Sequence, residues 1–461
     1  MSDIQGLLHA IRDQPDDDMP RLVAADWYEE HGDAVRAAFI REQQAFHRAA
    51  WWDRDPRIER RLAALSLENQ DAWVGPLLKN EQVEWNRGFP WQLSTSARQL
   101  KGRLEAVLER FPALVVHNSG AWLSSLCASS ARHRLRRLVL TGKPPTAAAW
   151  KRFCASEDFG RLQSLRLELP AIGMALLPDM VWAPWFESLQ SLELQDTSEQ
   201  PLHLDQIRPS RTGRLREFSV SNGQLRPNDV AHLAENPYFA NLEELSLFSI
   251  RLTPAKVQTL ADSTQLRALK TLRICFADLN STAGQILADS PILNKVEYLD
   301  LSFSHLGPNG CDALLQSSQL KKLLHLELTH NCTVSSLRGQ SLLRSPLLDS
   351  LRCLQLGYSR LKEADVLRLL ASGRGQALRL LSLQGNELKT ATAEALAGAT
   401  HLSEMRTLVI CGNQMGLRGA QALADSLAFP HLWELIGDAS TFSKRGEQFL
   451  REHLGERYTS I

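Results

Sequence analysis

The sequence has no net charge, no long apolar run and no paired-cysteine motif, and each absence removes a class of function. Its 52 Lys and Arg balance 52 Asp and Glu, so no global field draws the chain toward nucleic acid or an anionic membrane. Neither is expected as a partner. No apolar stretch reaches the roughly 20 residues needed to span a bilayer. The opening MSDIQGLLHAIRDQPDDD lacks a basic start, an apolar core and a small-residue cleavage site, so it does not read as a secretion signal. The cysteines, at 127, 154, 275, 311, 332, 353 and 411, are odd in number and show neither a Cys-x-x-Cys pair nor a Cys/His ligand spacing. They read as small buried thiols kept reduced in a cytoplasm.

Chemical motifs are missing too. The chain has no nucleophile elbow, phosphate-binding loop, GxGxxG, HExxH or paired carboxylates at a catalytic spacing. Its 13 histidines are scattered, and His325 and His330 flank strand residues without a sequence neighbour that would activate a nucleophile. The expectation is a protein that is not an enzyme and has no cofactor, metal site or catalytic residue. An enzyme or effector with its activity in the N-terminal helical domain and repeats that select substrate stays open, as does a self-assembling structural element.

What is present is a period. LxxLxL, with conservative exchanges, begins at Leu135, Leu162, Leu189, Leu215, Leu242, Leu269, Val296, Leu323, Leu351, Leu378 and Met405, and it fades at Leu432. All 11 intervals are 26, 27 or 28 residues. Apolar residues at the fourth and sixth positions have the two-residue period of a strand facing a core. The rest of each unit reads as helix, as in Thr253-Pro254 followed by AKVQTLADS, with a capping residue and a proline in the first turn. One strand and one helix cannot bury their own apolar faces, so neighbouring units must stack. Pro170, Pro178, Pro184, Pro201 and Pro209 predict irregular connections in the second and third units.

This pattern resembles the leucine-rich repeats of the ribonuclease-inhibitor type over residues 108 to 440, which implies an arc of parallel strands inside and helices outside. Asn331, Asn386 and Asn413 occupy the asparagine position of that motif, where the side chain satisfies backbone groups in the bend after the strand.

The N-terminal segment reads as helices over 2–13, 19–31, 33–49 and 56–69. Its acids Asp16, Asp17 and Asp18 suit capping of a helix start, with Arg21 and Arg36 available as partners, although an acidic docking face or a metal site is an alternative. Residues 1–95 hold 11 Lys and Arg against 17 Asp and Glu, a mild acidic bias. The stretch from Pro15-Asp16-Asp17 through Pro20, Arg21, Leu22, Ala24, Asp26, Trp27, Glu29, Glu30, Gly32, Asp33, Arg36, Phe39 and Ile40 resembles the bacterial repeat-companion domain. That family implies no reaction. It implies only that the segment accompanies a repeat array, with Arg87-Gly88-Phe89 opening the first strand of the array's cap.

The expected architecture is therefore an α/β solenoid behind a small all-α domain. Its parts are a helical domain at 1–80, a linker and cap at 81–134, repeats at 135–440 and a C-terminal cap helix at 441–461. Strand alternation places the third, fifth and seventh repeat positions, and the residue after them, on the exposed concave side. At the eighth position Phe276, Phe303, His330 and Tyr358 follow one another in successive units, with Phe248 beside them. Arg273, Asp300 and Glu327 occupy the fifth position of three units. These eight residues form the candidate surface for a protein partner, because exposed aromatic patches are typical interface anchors.

Overall fold

The computed structural model describes residues 3–14, 17–118, 122–207, 213–332 and 339–461. Asp16, Pro15 and Pro209 lie outside them. The chain forms two compact units: one of Met1–Pro170 with Pro178–Leu189, the other of Ala171–Leu177 with Gln190–Ile461.

The first unit begins with five helices: α1 (Asp3–Asp13), α2 (Met19–Glu30), α3 (Ala34–Arg48), α4 (Pro56–Glu68) and α5 (Gln70–Val74). Their starts are set by local chemistry. Asp33 accepts from the Arg36 amide at 2.9 Å and Asp55 from the Arg57 amide at 2.9 Å, which satisfies N–H groups that a first helical turn leaves without partners. Five strands follow: β1 (Gln82–Asn86), β2 (Phe89–Ser96), β3 (Ala113–His117), β4 (Arg137–Thr141) and β5 (Ser164–Leu169). β1 and β2 are an antiparallel hairpin, and β2 to β5 run parallel in chain order. Phe89, at the head of β2, closes a core of Ile4, Ile11, Ala24, Ala25, Ala37 and Ile40. The hairpin turn explains the glycine of Arg87-Gly88-Phe89. Gly88 has φ +87, and a Cβ there would sit 2.6 Å from the Ile40 Cα, so only glycine lets the turn press on α3.

In this unit two strands, β1 and β3, were not expected from the sequence. β1 precedes Arg87-Gly88-Phe89 and so turns the expected first strand into the second. Trp27 is only half-buried and stacks on His31 with ring centroids 3.9 Å apart, while Phe39 is fully buried.

The second unit contains β6 (Ser191–Asp196), β7 (Glu217–Ser221), β8 (Glu244–Phe248), β9 (Thr271–Cys275), β10 (Tyr298–Asp300), β11 (His325–Glu327), β12 (Cys353–Gln355), β13 (Leu380–Ser382), β14 (Thr407–Val409), β15 (Glu434–Gly437) and β16 (Tyr458–Ser460). All neighbours in this series pair in parallel. The fourth-position residues meet one another across the ladder, Phe218 to Leu245 to Leu272 to Leu299 to Leu326 to Leu354 to Leu381 to Leu408 to Leu435. That is the register counted in the sequence. Helices return behind the strands at Pro227–Glu235, Pro254–Ala261, Ser281–Ala288, Gly307–Leu315, Glu363–Ala371, Thr390–Ala397 and Gly416–Ala424. Leu299, Leu301, Leu326 and Leu328 are all at most 1% exposed, so the strand and helix layers share one continuous core. The proline-rich connections are short irregular turns: Ile172–Leu176 is a wide π-helical turn, and Phe186–Ser188 and Leu204–Gln206 are 3-10 turns. After the last long helix, Ala439–Leu454, the chain adds β16, an edge strand where only a cap helix was expected.

Two polar ladders tie the repeats of this unit together. Asn386 accepts from the Ser359 and Leu361 amides, both at 3.1 Å, and donates to the carbonyls of Leu356 and Leu383, both at 3.0 Å. Asn413 repeats the arrangement on Asn386, Leu388 and Leu383, and Asn331 does so on Ser304, Leu306 and Leu301. All three side chains are buried, as the motif required. The second ladder was not read from the sequence. Ser290 donates to the Ala261 carbonyl at 2.8 Å and Ser426 to the Ala397 carbonyl at 2.8 Å, so a serine of one repeat satisfies the last helical carbonyl of the repeat before.

Candidate functional site

The eighth repeat position is the bend where each strand of the second unit ends. Asn222, Ser249, Phe276, Phe303, His330, Tyr358, Gly385 and Gly412 all have φ between +51 and +71. Each amide carries the ladder one step further: Phe276 donates to the Ser302 carbonyl, Phe303 to Thr329, His330 to Gly357 and Tyr358 to Gln384. This left-handed conformation suits glycine and asparagine, and a bulky side chain there costs on the order of 1–2 kcal/mol. Asn222, Gly385 and Gly412 follow that preference. Five consecutive units do not, and after Ser249 the other four carry rings.

Their rings instead stack on one another. Phe276 and Phe303 have centroids 4.6 Å apart at 9°, Phe303 and His330 4.8 Å apart at 14°, and His330 and Tyr358 5.8 Å apart at 49°. Aromatic contacts of this kind contribute about 0.5–1.5 kcal/mol each. Stacking thus roughly offsets the backbone strain, and folding gains little from placing rings at these bends. The row is also accessible: Phe276 is 53% exposed, Tyr358 41%, and Phe303 and His330 are half-buried between them. The Tyr358 hydroxyl accepts from the Gln384 amide nitrogen at 3.1 Å, which holds its ring over Gly385.

A second row lies along the strands. Tyr298 and His325, which pair across β10 and β11, stack at 3.9 Å and 5°. The Arg273 guanidinium lies 4.7 Å from the Tyr298 ring centroid and is paired with Glu244. Burial, with the Asp300 charge adding to it, pushes the Tyr298 hydroxyl up to about 12, so it stays protonated and neutral. This row was missed because tyrosine and histidine at the third position differ in kind and occur in only two successive units.

The predicted polar residues divide. Arg273 faces the open strand surface, but Glu244 already neutralises it. Glu327 is half-buried and accepts from the Gln355 amide at 2.9 Å. Asp300, expected as a solvent-facing acceptor, is 8% exposed, and its Oδ1 takes the Ser302 amide at 2.9 Å and hydroxyl at 2.6 Å. It folds back on its own bend instead of reaching outward. Position seven also departs from simple alternation, with Cys275 and Ser302 buried at the same bends. Phe248 is half-buried and, with Arg273, borders a shallow depression of about 230 Å³ whose carboxylates are Glu193, Glu217 and Glu244.

The acids of the N-terminal segment have partners other than those expected. Asp17 accepts from the Met19 amide at 2.9 Å just ahead of α2, and Asp18, at the cap position itself, makes no side-chain cap bond and pairs with Arg48 at 2.9 Å and Arg87 at 3.1 Å. Asp26 and Glu29 share Arg41. Arg21 and Arg36, proposed partners of these acids, are instead buried at 1% and 3% exposure. Among the described residues no cluster of three or more His, Cys, Asp or Glu could hold a metal ion, and no helix is long and apolar enough to cross a membrane.

A strand, a left-handed bend with an asparagine ladder and a returning helix, repeated in the LxxLxL register, define a leucine-rich-repeat solenoid. The sequence matches no protein-family model and no curated protein. Among solved structures it is similar to a chain of the crystal structure of the Rad7 and Elc1 complex in yeast, at 13% identity over 98% of this chain and 91% of that one, with a TM-score of 0.47. It is also similar to an internalin from Listeria monocytogenes, at 14% identity over 77% of this chain and 88% of that one, with a TM-score of 0.42. The class rests on the repeat's own register and bends.

Proposed function

We propose that the chain is a non-enzymatic interaction module, or scaffold, which binds a protein partner on the exposed strand face of residues 190–461, the concave face expected of such a solenoid. The observation that carries this reading is the row Phe276, Phe303, His330 and Tyr358, with rings held side by side at bends whose backbone favours glycine. Strained side chains that folding does not require are found where a surface is used. A preassembled row of rings offers contact area at low entropic cost, and such anchors carry most of the energy of an interface. Phe248 and the carboxylates of the neighbouring depression extend the surface with sites for a basic partner side chain, which would act mainly on association rate. Residues 1–80 serve in this reading as the companion of the repeat array. The setting is a bacterial cytoplasm, where the seven thiols stay reduced.

The test is site-specific photo-crosslinking from positions 276 and 358, with Leu427, which is 91% exposed in the same unit, as control. The proposal predicts that both ring positions label one peptide of one partner and that position 427 does not. Labelling of that partner from 427 alone would refute it.

A further inference from the structure

The first unit contains a cleft of about 590 Å³ bordered by α1, α2, α3, α5 and the start of β2, a volume within the range of small-molecule sites. Its charged lining is Arg12, Arg21, Arg36 and Arg110 against Asp71 and Glu109. Most of these arginines are spent on backbone: Arg12 donates to the Leu8 and Glu109 carbonyls, Arg110 to the Val74 carbonyl at 2.8 Å and Arg21 to the Asp17 carbonyl at 2.8 Å. Arg36 differs.

Arg36 is 3% exposed, and its Nη1 has no hydrogen-bond partner among the described residues. No ion pair forms with it there. Its polar company is the Tyr28 hydroxyl and the more distant charge of Asp33, which caps α3. The guanidinium is enclosed by rings, with Trp73 at 4.3 Å, Trp85 at 4.8 Å, Phe89 at 5.5 Å, Phe39 at 5.7 Å and Tyr28 at 5.9 Å. Burial pulls it down to about 10, far enough above neutrality that it stays charged. A buried cation without a counter-charge is costly, and ring faces return only part of that cost. The Tyr28 hydroxyl satisfies part of the guanidinium and leaves Nη1 with a bond to give, which a carboxylate oxygen would accept with its charge as well as its lone pair. The walls beyond Arg36 are apolar, from Leu8, Ile11, Trp73, Phe89 and Trp91.

We infer that this cleft binds a small organic carboxylate: the carboxylate on the Nη1 of Arg36 and a ring-sized apolar body against Trp73, Phe89 and Trp91. The site is separate from the ring row of the second unit and does not depend on it.

Calorimetric titration of the full chain with phenylacetate, phenylacetamide and inorganic phosphate tests the inference. Phenylacetate should bind at least tenfold more tightly than the amide, which lacks the charge, and than phosphate, which lacks the apolar body. Arg36→Met, which keeps the length of the side chain and removes the charge, should abolish the difference between acid and amide. Equal affinity for acid and amide in the unaltered protein, or no heat from phenylacetate at millimolar concentration, would overturn the inference whether or not the variant folds. Retained preference for the acid in a folded Arg36→Met protein would overturn it too.

Discussion

The ring of Tyr358 lies where a side chain of residue 385 would stand: a Cβ on Gly385 would fall 2.3 Å from the ring. Gly385 has φ +62, so its missing side chain serves both the bend and the ring beside it. Replacing it with alanine adds a left-handed penalty on the order of 1–2 kcal/mol and forces Tyr358 off its perch. Gly385→Ala should therefore lower the unfolding free energy read from a urea melt by that amount and break the Tyr358–Gln384 hydrogen bond. Gly398→Ala, at a helix end with φ in the ordinary negative range, is the control and should cost less.

The asparagine ladder makes a sharper stability prediction. Asn386 is 3% exposed and serves two amides and two carbonyls of neighbouring bends. Asn386→Ala strands buried backbone groups, each worth about 1–3 kcal/mol when left unpaired, and so should cost at least about 2 kcal/mol in a denaturant melt. Leu328→Ala, in a fully apolar environment, should cost about 2–5 kcal/mol by cavity formation. A loss of under 0.5 kcal/mol for Asn386→Ala, well below the cost of even one unpaired group, would mean that water replaces the side chain freely.

Asp229 gives a prediction for pH. Burial opposes its ionisation, but hydrogen bonds from the Arg226 side chain and amide outweigh burial and hold the carboxyl below its ordinary value. A carboxyl depressed in the folded state contributes stability that is present above its unfolded pKa of 3.8 and is lost as pH falls through the lower folded value. The difference in stability between the protein and Asp229→Asn should therefore be full at pH 6 and shrink below about pH 4. Guanidinium-free thermal melts at the two pH values would measure it, and an equal difference at pH 3 would contradict the assignment.

Much of this was legible because a repeat samples the same position many times. LxxLxL fixed the register of Leu299, Leu326 and Leu354, and the same spacing brought Phe276, Phe303, His330 and Tyr358 into line. What periodicity does not carry is backbone conformation. Nothing in the spelling of Phe303 announces a left-handed bend, so its strain went unseen. Asp300 failed for a related reason: alternation says which way a side chain starts, and Ser302, two residues on, decides where it ends. The Tyr298–His325 stack and the arginine cleft lay beyond reach because they join unlike residues, or residues from several helices, that share no spacing. The helical segment was read as an entity by itself, yet Phe89 of β2 completes its core.

The central claim is that the ring row is a binding surface, and the most direct measurement is calorimetric titration of the crosslinked partner against the protein and Phe303→Ala/Tyr358→Ala. Truncating two anchors should weaken binding at least tenfold, about 1.4 kcal/mol; alanine keeps the Cβ that strains each bend and loses the ring contacts, so the double variant should also melt somewhat lower while staying folded at the temperature of the titration. Unchanged affinity in the folded double variant would contradict the claim and place the interface elsewhere on the chain.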